Sequence, residues 1–344
     1  MKRGIALIAS ALVALLAVSA AGAKSSQRTD TTITGAGSSL VAPLVSQWVN
    51  PVGHAFGYTL QYSSVGSGAG IAAITARTVD FGASDAPLTP DQASACKGCV
   101  QIPWALSATT LSYNVPGTPN DLHLTGPVIA GIYLGQITSW KDSRIQKLNP
   151  KVSLPDLKIT PVFRSDGSGD TYAFTDYLSR VSPAWKSKVG NATAVQFPAG
   201  LGGKGNAGVA GVIANTKGAI GYISAAYTLS NHLRVAAVKN ANGYFATPGL
   251  RGIAAAATTV KSVPTNNEMH IVDPPKGAKL AYPISTFTYV IVPRRSPHAQ
   301  QLRKLIFWAL TQGQNTSYTS KLIFAKMPKV VLVAAEKTLK TLSS

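Results

Sequence analysis

The residues with most chemical promise lie in "VFRSDGSGDTYAFTDYL", Val162 to Leu178. Arg164, Asp166, Ser168 and Asp170 fall within seven positions, with Gly167 and Gly169 among them, and aromatic residues at helical spacing follow. A cation, two carboxylates and a hydroxyl on a Gly turn suit four chemistries: a nucleophile elbow, a nucleotide loop, a cation loop or a cradle for a small anion. Three of these fail in detail. An esterase elbow needs G-x-S-x-G, and "DGSGD" is one residue too tight on each side. An EF-hand loop needs acids at alternate positions, a glycine and a distal Glu, and that pattern is absent here. The closest approach to a phosphate-binding P-loop, "GLGGKGNAG", has Gly205 after Lys204 where Ser or Thr is required, and Pro198 in the place of the first glycine. "GAGSSL" has only two of the three glycines of a dinucleotide fingerprint. His54, His123, His232, His270 and His298 are scattered singly and give no metal-ligand spacing.

The anion cradle survives because its theme recurs. "GAGSS" at 35–39, "GSGAG" at 66–70 and "GSGD" at 167–170 each separate a predicted strand from a predicted helix. Glycine lets backbone N–H groups approach a ligand closely, and Ser caps the helix behind it. The first turn of such a helix carries free donors and a partial positive charge, which suits a tetrahedral oxyanion. One such turn is an ordinary N-cap; three alike point to an anion site.

Strands and helices must position these turns. "TTITGAGSSLVAPLVSQWV" reads strand, turn, helix, with Pro43 in the first helical turn and the helix start near Ser38 or Ser39. "YTLQYSSVGSGAGIAAITART" repeats the plan. "VDFGASDAPLT" is a buried strand entering a polar turn, and "IPWALSATTLSYNVPG" is a long β-prone run. "KITPVFR", "GAIGYIS" and "AYPISTFTYVIVP" read as further strands, "AQQLRKLIFWALTQG" and "KVVLVAAEKTLKTL" as helices. Residues 229–280 give weak signals. Trp48, Trp104, Trp140 and Trp308 are assigned to core or interface. The alternation predicts an α/β architecture. The chain leaves its first sheet near Ser107 and returns near Tyr282, predicting a discontinuous domain I (24–106 plus 283–344), an inserted domain II (107–282) and a hinge near 105–110 and 280–284.

Composition limits the setting. Met1-Lys2-Arg3, the apolar run Ile5 to Ala20 and Ala21-Gly22-Ala23 predict a cleaved signal peptide over 1–23, with no cysteine beside it to carry a lipid. In an exported chain Cys96 and Cys99 of "ACKGCV" read as a small structural disulfide. The net charge is +19, or +17 without Lys2 and Arg3. The basic residues are spread along the chain with no aromatic platform, so no nucleic-acid module is visible, and the excess of base favours anions in general.

"TITGAGSSLVAPL", "YSSVGSGAGI", "TVDFGASDAPL", "LGQITSWKDSRIQKLNP", "FRSDGSGDTYAFTDYLS" and "FPAGLGGKGNAGVAGVI" together resemble the periplasmic phosphate-binding proteins that feed high-affinity phosphate ABC transporters. The resemblance runs from about 31 to 310, with its blocks in family order. It implies a two-lobed, type II periplasmic binding-protein fold with mixed sheets flanked by helices, closing on one phosphate ion in the interdomain cleft. It also implies a ligand set: Ser39 with its hydroxyl, Leu40 with its main-chain N–H, Ser67, Asp85, Arg164, Ser168, Gly169 and Asp170, with Asp166 orienting Arg164. Ser39 and Leu40 stand where relatives commonly have Thr and Phe, and Asp170 where many have Thr.

Elementary chemistry fits those roles. At neutral pH phosphate keeps at least one P–OH, whereas sulfate has none. A buried carboxylate such as Asp85 accepts from the P–OH and meets sulfate with lone pairs only. Sites built around such a bond reject the analogue lacking it by roughly 10⁴–10⁵. Asp170 adds a second acceptor. The expected partners are inorganic phosphate and the permease of an ABC importer; the protein is expected to be a periplasmic monomer, with no cofactor, no metal, no nucleic acid and no catalysed reaction. The alternatives are a secreted phosphatase, for which Ser168 lacks a His partner, or a non-transport phosphate sensor or scavenger.

Overall fold

The computed structural model describes residues 31–344; the expected signal segment, 1–23, lies outside the described residues. Strands β1 (Thr32–Gly37), β2 (Thr59–Ser64) and β3 (Phe81–Ser84) pair in parallel with β1 in the middle. Helices α1 (Ala42–Phe56) and α2 (Ser67–Thr75) make the crossovers. Every residue of β3 is buried, as befits a strand covered on both faces. Helix α1 begins three or four residues later than the sequence predicts. The Ser38 hydroxyl accepts from the amides of Leu40 (3.1 Å) and Val41 (3.2 Å), so residues 38–41 form a separate turn. Pro43 still falls in the first helical turn.

Strand β4 (Cys99–Tyr113) is the spine of the molecule. Its first ten residues pair antiparallel with Ser285–Pro293, and Thr109–Tyr113 pair antiparallel with Ala219–Ser224. The handover falls between Ala108 and Thr109. Beyond it lies a second parallel set, with Thr160–Arg164 flanked by Leu201–Gly203 and Ala219–Ser224. The sheet therefore runs β2, β1, β3, 285–293, β4, 219–224, 160–164, 201–203. Each parallel set carries helices at the carboxyl ends of its strands, the place where open α/β sheets hold ligands.

The tryptophans form core, as their sequence setting implies. Trp48 meets Trp104 edge-on with ring centroids 5.3 Å apart, and Trp308 lies 6.2 Å from Trp48. Cys96 and Cys99 are disulfide-bonded, and Cys96 packs with Ile71, Ile74, Leu88 and Ile291. Residues 229–280, weakly patterned in sequence, contain strands of two or three residues and a helix at Leu250–Ala257. Within that region Asn266 and Asn267 bond to Gln101 on β4, and Met269 to Tyr289. The chain thus makes contact with the first half of the sheet well before Tyr282.

Candidate functional site

Four turns meet at the carboxyl ends of the two parallel sets. From the first set come the turn after β1 with Ser38 and Ser39, the N-terminus of α2 at Ser67, and Asp85 one residue past β3. From the second come Arg164 at the end of its strand and the helix Gly169–Val181. That helix is N-capped by Ser168, whose hydroxyl accepts from the Thr171 amide at 3.3 Å. All of Ser39, Leu40, Ser67, Asp85, Arg164, Ser168 and Asp170 are at most 5 % exposed. The two sets touch directly. The Gly169 amide donates to Ser67 Oγ (3.1 Å) and Gly68 N to Gly167 O (3.0 Å), while within the second half Thr109 Oγ1 donates to Asp170 Oδ1 (2.7 Å).

The charges are unequal: Asp85, Asp166 and Asp170 face one guanidinium. Arg164 donates through Nε and Nη2 to Asp166 and through Nη1 to Asp170 Oδ2 at 3.2 Å. No other basic side chain among the described residues bonds to these acids. The Asp166 carboxyl is held below its ordinary value: burial opposes this, but the Arg164 bonds and the Gly205 amide prevail. Asp166 therefore braces Arg164.

The other two acids differ from it and from each other. Burial pushes the Asp85 carboxyl up to about 8, Asp170 adds repulsion, and Ser38, Arg164 and Ser67 pull the other way. Ser38 Oγ lies 2.6 and 2.7 Å from the two Asp85 oxygens. Burial raises the Asp170 carboxyl too, opposed by Arg164, Thr109 and Asn206. The site thus sets a buried carboxyl of raised proton affinity among hydroxyl, amide and guanidinium donors, an arrangement matched to an oxyanion that brings a hydrogen to share.

Each sequence-predicted residue lies in this cluster, though Leu40 presents its amide to Ser38 Oγ. Sequence reasoning missed four contributors. Ser38, beside the expected Ser39, is the residue bonded to Asp85. Thr109 reaches Asp170 from β4. Tyr222 accepts from the Arg164 amide at 2.9 Å and bonds the Thr171 hydroxyl at 2.7 Å. Asn206 stands at the start of the helix Gly205–Asn215 and touches Ser39 and Asp170. Its signal is legible: "GGKGN" is a fourth Gly turn before a helix.

Close approach explains Gly169. A Cβ there would lie 2.6 Å from Asp85 Oδ2 and 2.8 Å from Asp85 Cα, a backbone neighbour that cannot swing away. Since the two atoms belong to opposite halves, Gly169→Ala should leave each half folded and obstruct only their apposition. Overpacking of this kind costs about 1–3 kcal/mol, so affinity for a cleft ligand should fall roughly tenfold to a hundredfold with the ligand-free melting temperature within a degree or two of wild type. A binding titration paired with a thermal melt checks this; unchanged affinity would show that the contact is not required.

The PBP superfamily domain model matches residues 22–312. The chain is 41% identical over 286 residues to the phosphate-binding protein PstS of Xylella fastidiosa (strain Temecula1), covering 82% of this chain and 78% of that one. It is 35% identical over 317 residues to PstS of Pasteurella multocida (strain Pm70), covering 90% of each. The crystal structure of a phosphate-binding protein from Stenotrophomonas maltophilia superposes with a TM-score of 0.69 at 21% identity, over 89% of this chain and 93% of that one. The fold is the two-lobed α/β architecture of such binding proteins.

Proposed function

The chain belongs to the PBP superfamily and to the family of its phosphate-binding PstS relatives, and from that premise we propose that it captures inorganic phosphate outside the cytoplasm and delivers it to an ABC-type importer. The observation that carries the reading is the pairing of one braced guanidinium with a fully buried carboxyl, ringed by hydroxyl and amide donors from both halves of the sheet. Ser39, Ser67 and Ser168 supply hydroxyl donors, the Leu40 and Gly169 amides exchange their bonds to Ser38 Oγ and Ser67 Oγ for the ion, Arg164 supplies the positive charge, and Asp85 is the acceptor for the P–OH. Hydrogen bonds to a charged group contribute about 1.5–3 kcal/mol each, so this set suffices for micromolar binding, which needs only about 8 kcal/mol net. The lobes divide near Ala108 on β4 and again in the segment after 260, where the chain returns to Gln101. They open about these two crossings to admit the ion and close to present it to a membrane permease. The exported location and the monomeric state follow from the same reading, and no reaction is part of it.

Proton linkage gives a test with a definite sign. Burial pushes the Asp85 carboxyl up to about 8, so the proton it shares with the P–OH of the bound ion is one that alkali removes. Affinity for phosphate should therefore fall as pH rises through about 8 and continue to fall above it, by up to about tenfold per pH unit for one linked proton. Equilibrium dialysis with labelled phosphate between pH 6 and 10 checks this. Binding that strengthens steadily over that range would overturn the assignment of Asp85.

A further inference from the structure

Asn206 is fully buried and uses every hydrogen-bonding atom of its side chain. Its Oδ1 accepts from the Ser224 amide at 2.8 Å. A backbone N–H can only donate, so this bond fixes which end of the amide is oxygen. The Nδ2 group must then face the other way, where it lies 2.9 Å from Ser39 Oγ and 2.8 Å from Asp170 Oδ2. The Asn206 backbone amide also donates to Ser39 Oγ, at 3.3 Å.

Two consequences follow for the cleft. Ser39 Oγ receives two donors from across the cleft, which occupy its lone pairs and leave its own O–H free only to donate elsewhere. Asp170 Oδ2 meets two donors that cannot accept, Asn206 Nδ2 and Arg164 Nη1, so that oxygen carries no proton. Ser39 follows β1, whereas Asn206 follows the strand Leu201–Gly203, so the bond between them exists only when the two halves are apposed. We infer that Asn206 is a closure-dependent positioning residue, which turns the Ser39 hydroxyl into an obligatory donor to the bound anion and keeps Asp170 an acceptor. Asp170 then serves mainly to anchor Arg164 and Asn206, and the proton that distinguishes phosphate is left to Asp85. A site organised in this way is complete only when closed, so the ion is released more slowly than it would be from the same donors unlinked.

This inference rests on the phosphate-binding reading, and its test separates the two. Inorganic phosphate is the probe, with association and dissociation followed by stopped flow on wild type, Asn206→Ala, Ser39→Ala and the double variant. Asn206→Ala should weaken binding roughly tenfold to a hundredfold, almost entirely through faster dissociation. Removing the Ser39 hydroxyl should then cost much less in the Asn206→Ala background than in wild type, because an undirected hydroxyl contributes little. Asn206→Asp, nearly identical in shape, keeps the acceptor for Ser224 but sets a carboxylate beside Asp170. It should bind worse at pH 9 than at pH 6 by a wider margin than wild type does, and it covers the case in which Asn206→Ala does not fold. Additive losses in the double variant, or an unchanged dissociation rate in a folded Asn206 variant, would overturn the inference while leaving phosphate binding intact. Failure of the wild-type protein to bind phosphate would instead remove the reading beneath it.

Discussion

Exchange of Asp85 for asparagine should reduce the preference for phosphate over sulfate from roughly 10⁴–10⁵ to within about tenfold. The side chains have almost the same shape, so the turn past β3 and the bond from Ser38 can persist. What changes is the character of the group. Asp85, fully buried and beside a second acid, binds phosphate by sharing the proton of the P–OH. Sulfate brings no proton to share, so its bare oxygen meets the lone pairs of the carboxylate. An asparagine at this position can turn an N–H toward that oxygen and accept sulfate without penalty. Competition binding with phosphate, arsenate and sulfate measures the effect. Arsenate, which shares the protonation pattern of phosphate, should track phosphate in both proteins. Undiminished discrimination in Asp85→Asn would place the selectivity elsewhere in the cleft.

Replacement of Arg164 by methionine should weaken phosphate binding by at least about a thousandfold. Removing one member of a buried pair costs about 3–5 kcal/mol because its partner is left charged and unpaired, and here there are two such partners. Asp166 and Asp170 would face an incoming anion with no compensating charge. The variant should also melt at a lower temperature without ligand, because Arg164 is buried and holds both acids in the folded protein. A second change, Asp170→Asn, separates the two losses. It removes one orphaned charge and should restore part of the melting temperature, yet return little of the affinity, since no cation has been supplied. Arg164→Met with affinity within tenfold of wild type would show that the neutral donors alone hold the ion.

How much of this was legible in the sequence depends on how local the signal is. The three Gly/Ser turns, the strands before them and the helices behind them are short-range patterns, and Ser39, Ser67, Asp85, Arg164, Ser168, Gly169 and Asp170 all stand in one cluster. The run from Ile102 to Tyr113 reads as one strand because it is β-prone along its length; that it serves two halves of a sheet is a matter of partners, invisible in its own residues. The start of α1 was misplaced because Ser38 bonds to Asp85 and to two following amides, a tertiary choice that overrides the N-cap signal. The strands at 234–235 and 245–246 are too short to show a period. Thr109, Tyr222 and Asn206 escaped because each acts across the chain: Thr109 and Asp170 are 61 positions apart, Asn206 and Ser39 167. Asn206 came closest to being found, since its Gly turn precedes a helix like the other three.

Asp170 illustrates the reverse case. Read alone, it is a second acid in a cradle and hence a second acceptor for hydrogen on the ligand. In the folded protein both of its oxygens are engaged, by Thr109 on one side and by Asn206 and Arg164 on the other. The role we infer for Asn206 therefore makes Asp170 the anchor of groups that make contact, beside the ligand contact that the resemblance implies for it.

The most direct measurement is titration calorimetry of the wild-type protein, freed of phosphate by unfolding and refolding, with phosphate and with sulfate at neutral pH. A single phosphate site of micromolar affinity or tighter, corresponding to about 8 kcal/mol or more, with sulfate at least about a thousandfold weaker, is the predicted result. Equal affinity for the two ions, or no binding of phosphate at all, would contradict it.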